Sequence, residues 1–294
     1  MKLSSAIVGA TAGPLDHVID ARWLMAYAAG LGETALGFFD TTRPEGIVAH
    51  PLFPVCYEWP LALLLRDRTL GDDIAPRGVH ATHDLTLYRL PRAGERLRTT
   101  AVIVAVEPRT PGAYVLSRFD TVDVEGQPVS TTLYGSLYRG VACDGAPART
   151  ERSRDTSSLA GATPQATQVA PDWSASVPVA GTLAHVYSEC ARIWNPIHTD
   201  RAVARAAGLP DIILHGTATL ALAVSAALRH APSARAAPVT RIACRFSAMV
   251  RMPSMITVEG WVPRADIDGY TIRFQVLNDE GHAAVTRGSL VLPP

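Results

Sequence analysis

Residues 187–222 read YSECARIWNPIHTDRAVARAAGLPDIILHGTATLAL, and the second half of the chain is organised around them. Apolar and polar residues up to Trp194 predict a strand, ended by the turn-forming pair Asn195-Pro196. His198 follows at the mouth of a short helix predicted over 200–207, with Asp200 as N-cap and Gly208 as C-terminal stop. After Pro210, Ile212-Ile213-Leu214 leads into His215-Gly216 and an Ala/Leu helix predicted over 216–229. A helix that opens on His-Gly presents free N–H groups at its positive end, where glycine lets a ligand come close. Negative charge developing on a carbonyl oxygen would be stabilised there. Glycine at this place also suits a helix that only needs close packing, and spacing alone leaves both readings open.

Working outward, the same order of elements occurs twice. In the first half, the apolar segment Trp59–Leu70 reads as a helix after Pro54. Strand-like runs follow at 83–90, 97–106, 113–124 and 128–138, the last two joined by the hairpin signal Glu125-Gly126. In the second half the helix at 216–229 precedes strand-like runs at 239–246, 255–262, 270–277 and 283–292. The closing strands share a string, Gly135-Ser136-Leu137 against Gly288-Ser289-Leu290. A long apolar helix followed by an antiparallel sheet, used twice, predicts an α+β fold in which each sheet wraps its own helix. Between the halves, 143–178 is rich in Ala, Pro, Ser, Thr and Arg without apolar period and reads as a linker. The expected domains are therefore 1–142 and 179–294.

Composition removes several function classes. The chain has 294 residues, 48% apolar, which suits two units of roughly 150 residues with a sizeable core. Acidic and basic residues balance at 27 each, so no net field draws nucleic acid or anionic lipid. Lys2 is the sole lysine, which excludes a P-loop lysine. Cys56, Cys143, Cys190 and Cys244 form no C-x-x-C pair and suit a reducing, cytoplasmic setting. Met1–Pro14 makes a poor secretion signal, and the apolar stretch 214–228 is too short to span a bilayer. His80 and His83 lack a third ligand at useful spacing, so no metal is expected, and His50 reads as loop structure. No Gly-rich dinucleotide loop and no G-x-S-x-G elbow occurs, so no nicotinamide or flavin cofactor is expected.

Asn195-Pro196-Ile197-His198-x-Asp200, followed by Ile213-Leu214-His215-Gly216, resembles the motif of the MaoC-like, or hydratase-2, family of (R)-specific enoyl-thioester hydratases and dehydratases. Tyr27–Gly32, Val79-His80 and Leu90–Gly94 are more loosely similar to strings in the first half of two-domain members. The resemblance implies a double hot-dog with its active site in the second half, while the first half shapes the acyl tunnel. The helix around Trp59–Leu65 would stand aside for a bulky acyl chain. It further implies reversible hydration of a 2-enoyl thioester, with coenzyme A or acyl carrier protein as part of the substrate and no separate cofactor. His198 matches the catalytic histidine, Asn195 the motif asparagine and Gly216 the backbone donor to the thioester oxygen. Monomer and homodimer are both compatible with a fused pair.

The departure from the motif matters as much. Two residues before the asparagine the family has its aspartate, preceded by glycine; here those positions are Ile193 and Arg192. Loss of one member of an acid–base pair costs about two to four orders of magnitude in rate. Three readings stand. Another group replaces the carboxylate, with Glu189, Asp200, His80 and His83 as the residues to weigh. Alternatively His198 alone performs an isomerisation or elimination, with Arg192 clamping a carboxylate or carbonyl, or else facing solvent or pairing with Glu189. In the third, the site binds an acyl thioester without turnover. Arg192, Ile193 and His215 are the candidate substrate contacts.

Overall fold

The structure, a computed structural model, describes residues 1–150, 170–230, 238–266 and 269–293. The first half contributes β1 (Lys2–Ser4), β2 (Thr11–Val18), α1 (Ala21–Gly30), α2 (Pro54–Thr69), β3 (Gly78–Leu87), β4 (Arg96–Arg109), β5 (Gly112–Asp123) and β6 (Pro128–Arg139). Short strands β7 (Ala142–Asp144) and β8 (Ala148–Arg149) follow, pairing with β1 and β4. The second half contributes β9 (Trp173–Val179), α3 (Leu183–Ala191), α4 (Arg201–Ala206), α5 (Gly216–His230), β10 (Arg241–Phe246), β11 (Ser254–Asp266), β12 (Gly269–Leu277) and β13 (Ala283–Leu292).

The repeat read from the sequence is a repeat of topology. The main sheet runs β2-β4-β5-β6-β3-β10-β13-β12-β11-β9, so each half places its five strands in the same spatial order. The two halves join at β3 and β10, antiparallel and in register from Arg241 opposite Thr86 to Arg245 opposite Thr82. Each half carries its long helix between its first and second strands, α2 against β2 and β4 and α5 against β11, β12 and β13. This is the double hot-dog, α+β in class. In α5 every residue from Ala218 to Ala227 is buried, as an Ala/Leu sequence without a polar face requires.

Four elements depart from the sequence expectations. Residues 187–191 belong to helix α3, not to a strand: Ala184, Tyr187, Ser188 and Ala191 are its buried residues, at helical spacing. The stretch expected as a linker is strand at both ends, in β7 and β8 and again in β9; residues 151–169 within it lie outside the described residues. β9 and the unanticipated β2 are the two edge strands, and each contains a proline, Pro178 and Pro14, which an edge tolerates. Helix α2 starts at Pro54, ahead of the Trp59 start read from the sequence, and is continuous to Thr69, although Pro60 lies within it.

The seam is closed by a bidentate ion pair. Arg241 donates from Nε to Asp84 Oδ1 at 2.8 Å and from Nη2 to Oδ2 at 2.6 Å, and Asp84 is buried. Asp84→Ala leaves the arginine facing a carboxylate-free seam and should destabilise the fold by about 1–3 kcal/mol, discounted for the half-exposed arginine. Denaturant melts of the two proteins check this; an unchanged midpoint would show the ladder alone holds the halves together.

Candidate functional site

One cavity of about 510 Å3 runs between the halves. The second half lines it with Ile193, Asn195, His198, Leu214, His215 and Gly216, and the first half with residues of α2, β3 and β6. Of the residues singled out in the sequence, Arg192 is absent from this lining. It ends α3 in a left-handed conformation (φ 59°), its guanidinium 4.1 Å from the Trp23 ring centroid and 3.5 Å from Asp20. Its partner is thus Asp20 rather than Glu189, which instead accepts from Trp194 Nε1 at 3.1 Å. Ile193, the next residue, is buried.

His198 closes the 3-10 turn Pro196–His198. Its Nδ1–H donates to the Ile213 carbonyl at 2.8 Å, which assigns the tautomer and leaves Nε2 as a lone pair at the cavity. Burial lowers its pKa to about 4, against a smaller raising effect of the Ile213 carbonyl, so the ring is a neutral base at pH 7. His215 stacks on it, centroids 3.7 Å apart at 28°, and shares a hydrogen bond of 3.2 Å between its Nε2 and Ser188 Oγ. Burial, then the neighbouring His198, holds His215 well below the usual histidine range. Asp200 caps α4, accepting from the Ala202 and Val203 N–H groups, and takes no place in the cavity.

Gly216 starts α5 beside the stacked pair, where the first N–H groups of a helix have no intrahelical partner. A Cβ on Gly216 would lie 3.3 Å from the Phe246 ring, so a side chain here would crowd the cavity wall. The site therefore assembles a lone-pair nitrogen, a helix N-terminus without a side chain in the way, and an apolar Ile193.

The first half holds a worn copy of this arrangement. Its 3-10 turn Leu36–Phe38 precedes the turn Pro196–His198 by 160 positions, so Ala35 and Phe38 correspond to Asn195 and His198. Phe38 faces His50 at 28°, the angle between His198 and His215, though with centroids 6.4 Å rather than 3.7 Å apart, and Tyr27 meets His50 as Tyr187 meets His215. His50 is thus the counterpart of His215 rather than incidental loop structure. Phe38 stands where the second half has His198, and His50 is followed by Pro51, which has no N–H to offer.

Sequence reasoning missed Glu58 on α2. It is the sole carboxylate in the cavity lining among the described residues. Burial raises its pKa to about 8, although Thr132 Oγ1 donates to its Oε1 at 2.6 Å. Its place in an apolar helix, three residues after Val55 and four before Ala62, was the available signal. His80 also lines the cavity, whereas His83 does not. Among the described residues no cluster of three or more His, Cys, Asp or Glu side chains is arranged to hold a metal ion. No helix among them is long and apolar enough to cross a membrane.

The fold is that of a double hot-dog protein, and the second half supplies the histidine and glycine of the site. Residues 163–281 match the family model described as the MaoC-like domain. A MaoC-like dehydratase from Phytophthora capsici superposes with a TM-score of 0.80 over 97% of this chain and 96% of that one, at 21% identity. A Mycobacterium tuberculosis protein described as having a double hot-dog fold gives 0.61 over 97% and 96%, at 15% identity. Likenesses at these identities establish the fold. A UPF0336 protein of Saccharopolyspora erythraea is 30% identical over 99 residues, a match spanning 33% of this chain and 63% of that relative.

Burial has a consequence for stability. His17, His50, His83 and His198 are lowered to about 4, 3, 4 and 4, and His80 and His215 are lowered too, in each case chiefly by burial. Below pH 6.5 the unfolded chain takes up protons that the native rings refuse, so stability falls as pH drops from 6.5 towards 4. Glu58 acts oppositely: its contribution is full below about 4.5 and is lost as pH rises towards 8. With the histidines outnumbering it, Tm should be lower at pH 5 than at pH 7 in calorimetry. An equal or higher Tm at pH 5 would mean that these rings are charged in the native state.

Proposed function

We propose that the protein is a hydro-lyase acting on acyl thioesters, interconverting a 2-enoyl and a 3-hydroxyacyl group carried on coenzyme A. The observation that carries this reading is the His198 ring, fixed through Nδ1 with Nε2 open to a cavity that it shares with the start of α5. In the hydration direction Nε2 takes a proton from water as the oxygen adds at C3. The electron pair moves to the thioester oxygen, where the Gly216 N–H stabilises the enolate, and the histidinium returns the proton to C2. Asn195 holds the water against His198. Arg139 and Arg245 line the cavity without ion pairs among the described residues and match the phosphate oxygens of a carrier.

Ile193 favours a second reading. It is buried where the family motif has its aspartate, and neither Glu189 nor Asp200 reaches the cavity. A site with His198 alone fits isomerisation or elimination from an acidified carbon, or thioester binding without turnover.

Loss of enoyl absorbance with a panel of 2-enoyl-CoA substrates tests the proposal. His198→Ala should lower turnover by about two to four orders of magnitude with an unchanged melting temperature. Ile193→Asp, which supplies the motif carboxylate, should raise it. A folded wild type that turns over none of the panel, or a His198→Ala protein as active as wild type, would exclude the hydro-lyase reading.

A further inference from the structure

The part of the cavity that the first half lines is furnished for hydrogen bonding. Val55, Glu58, Trp59, Ala62 and Arg66 all line it from one face of α2, at helical spacing over about 16 Å. Opposite them stand Tyr134 on β6 and His80 on β3, ring centroids 3.8 Å apart. Tyr134 lies two residues beyond Thr132, the partner of Glu58, on the same face of its strand. The three polar groups therefore share one neighbourhood.

Their hydrogen-bonding capacity is only half used. Thr132 occupies Glu58 Oε1, and Oε2 has no partner among the described residues. Burial keeps Glu58 protonated at neutral pH, which makes Oε2 a donor. His80 donates from Nε2 to the Thr82 carbonyl at 3.1 Å, leaving Nδ1 as an acceptor. The Tyr134 hydroxyl has no hydrogen-bond partner among the described residues, and the Trp59 indole N–H is buried without one. A tunnel for a hydrocarbon chain gains nothing from such groups and is weakened by leaving them unpaired.

We infer that the cavity selects an oxygenated acyl group, one bearing a hydroxyl or carbonyl oxygen several bonds beyond the reacting carbons, recognised by Glu58, Tyr134 and His80. The spacing comes from the wall itself. The Phe246 ring lies against the Gly216 position at 3.3 Å and has its centroid 4.6 Å from that of His80. The aromatic wall thus separates the thioester end from the polar end. A hydroxyl suits the polar end best, since it accepts from Glu58 and donates to His80 Nδ1. The inference rests on the acyl-thioester reading above but not on turnover.

The test compares a medium-chain 2-enoyl-CoA with an analogue of equal length carrying a hydroxyl several carbons beyond the double bond. The wild type should favour the hydroxylated compound by about tenfold or more in kcat/KM, and Glu58→Leu should erase that preference. Binding of the two corresponding saturated acyl-CoAs to the wild type, measured by calorimetry, should show the same preference without needing chemistry or a variant. Equal kcat/KM for the pair, or a preference for the alkyl chain, overturns the inference and leaves the hydro-lyase reading standing. So does a Glu58→Leu protein that loses the same factor on both substrates, which would mark Glu58 as part of the chemistry. Preferential binding without turnover supports the inference and removes the hydro-lyase reading, and a protein that binds neither acyl-CoA removes both.

Discussion

The β3–β10 ladder is the constraint on which the rest depends. Either half alone would end in an exposed sheet edge; pairing the two edges satisfies both rows of backbone groups and fixes the halves in register. His83 stands opposite Cys244 and Thr82 opposite Arg245, so β3 brings His80 to the ring of Phe246 at the end of β10. Phe246 in turn packs on Gly216. The cavity is therefore a property of the seam, and no single half contains it.

Fusion of two hot-dogs in one chain frees the halves to diverge. The contact of α1 with α3 still shows the old symmetry, with Tyr27 against Tyr187 and Gly30 so close to Cys190 that a Cβ there would lie 2.9 Å from the cysteine's own. Around that shared frame the second half keeps His198 and Gly216, whereas the first has Phe38 and Pro51. The first half contributes polar lining instead. Its central helix carries Glu58 and Arg66 on the cavity side, a composition the buried Ala/Leu helix α5 does not share.

The sequence made the central elements legible because their patterns were strong. The hairpin around Gly126 and the Ala/Leu run of α5 had no competing interpretation, and the strands predicted from 97 onward in the first half and from 239 in the second begin and end within a few residues of the observed ones. The edge strands were missed for a physical reason. β9 buries one side only, through Trp173, Ala175, Val177 and Val179, and alternates them with Ser174, Ser176 and Pro178, which resembles a linker in composition. In α3 nine residues of apolar spacing were too few to be told from a strand. One stretch of sequence carries His198, His215 and Gly216, and the structure sets all three in the lining of one cavity, whereas the partners of Arg192, Trp23 and Asp20, belong to the other half and could not be read from it. Glu58 was hidden because a carboxyl group in a helix acquires meaning only from the wall it faces, here Thr132 on β6.

Charge sets the character of the cavity lining. At neutral pH His80, His198, His215 and Glu58 are all uncharged, because burial penalises the ionised form of each. The formal charges left in the lining, among the described residues, are those of Arg66, Arg139 and Arg245. A neutral interior with a cationic complement suits a ligand that is itself divided, with anionic oxygens on its carrier and an uncharged acyl group. An ionised aspartate at position 193 would break that division by burying an anion beside His198, which would hold the imidazolium form and raise its pKa. With isoleucine there, His198 stays a weak base whose conjugate acid gives up its proton readily. Catalysis at this site would then rest on a neutral histidine that borrows a proton and returns it, in place of a carboxylate and histidine acting as a pair.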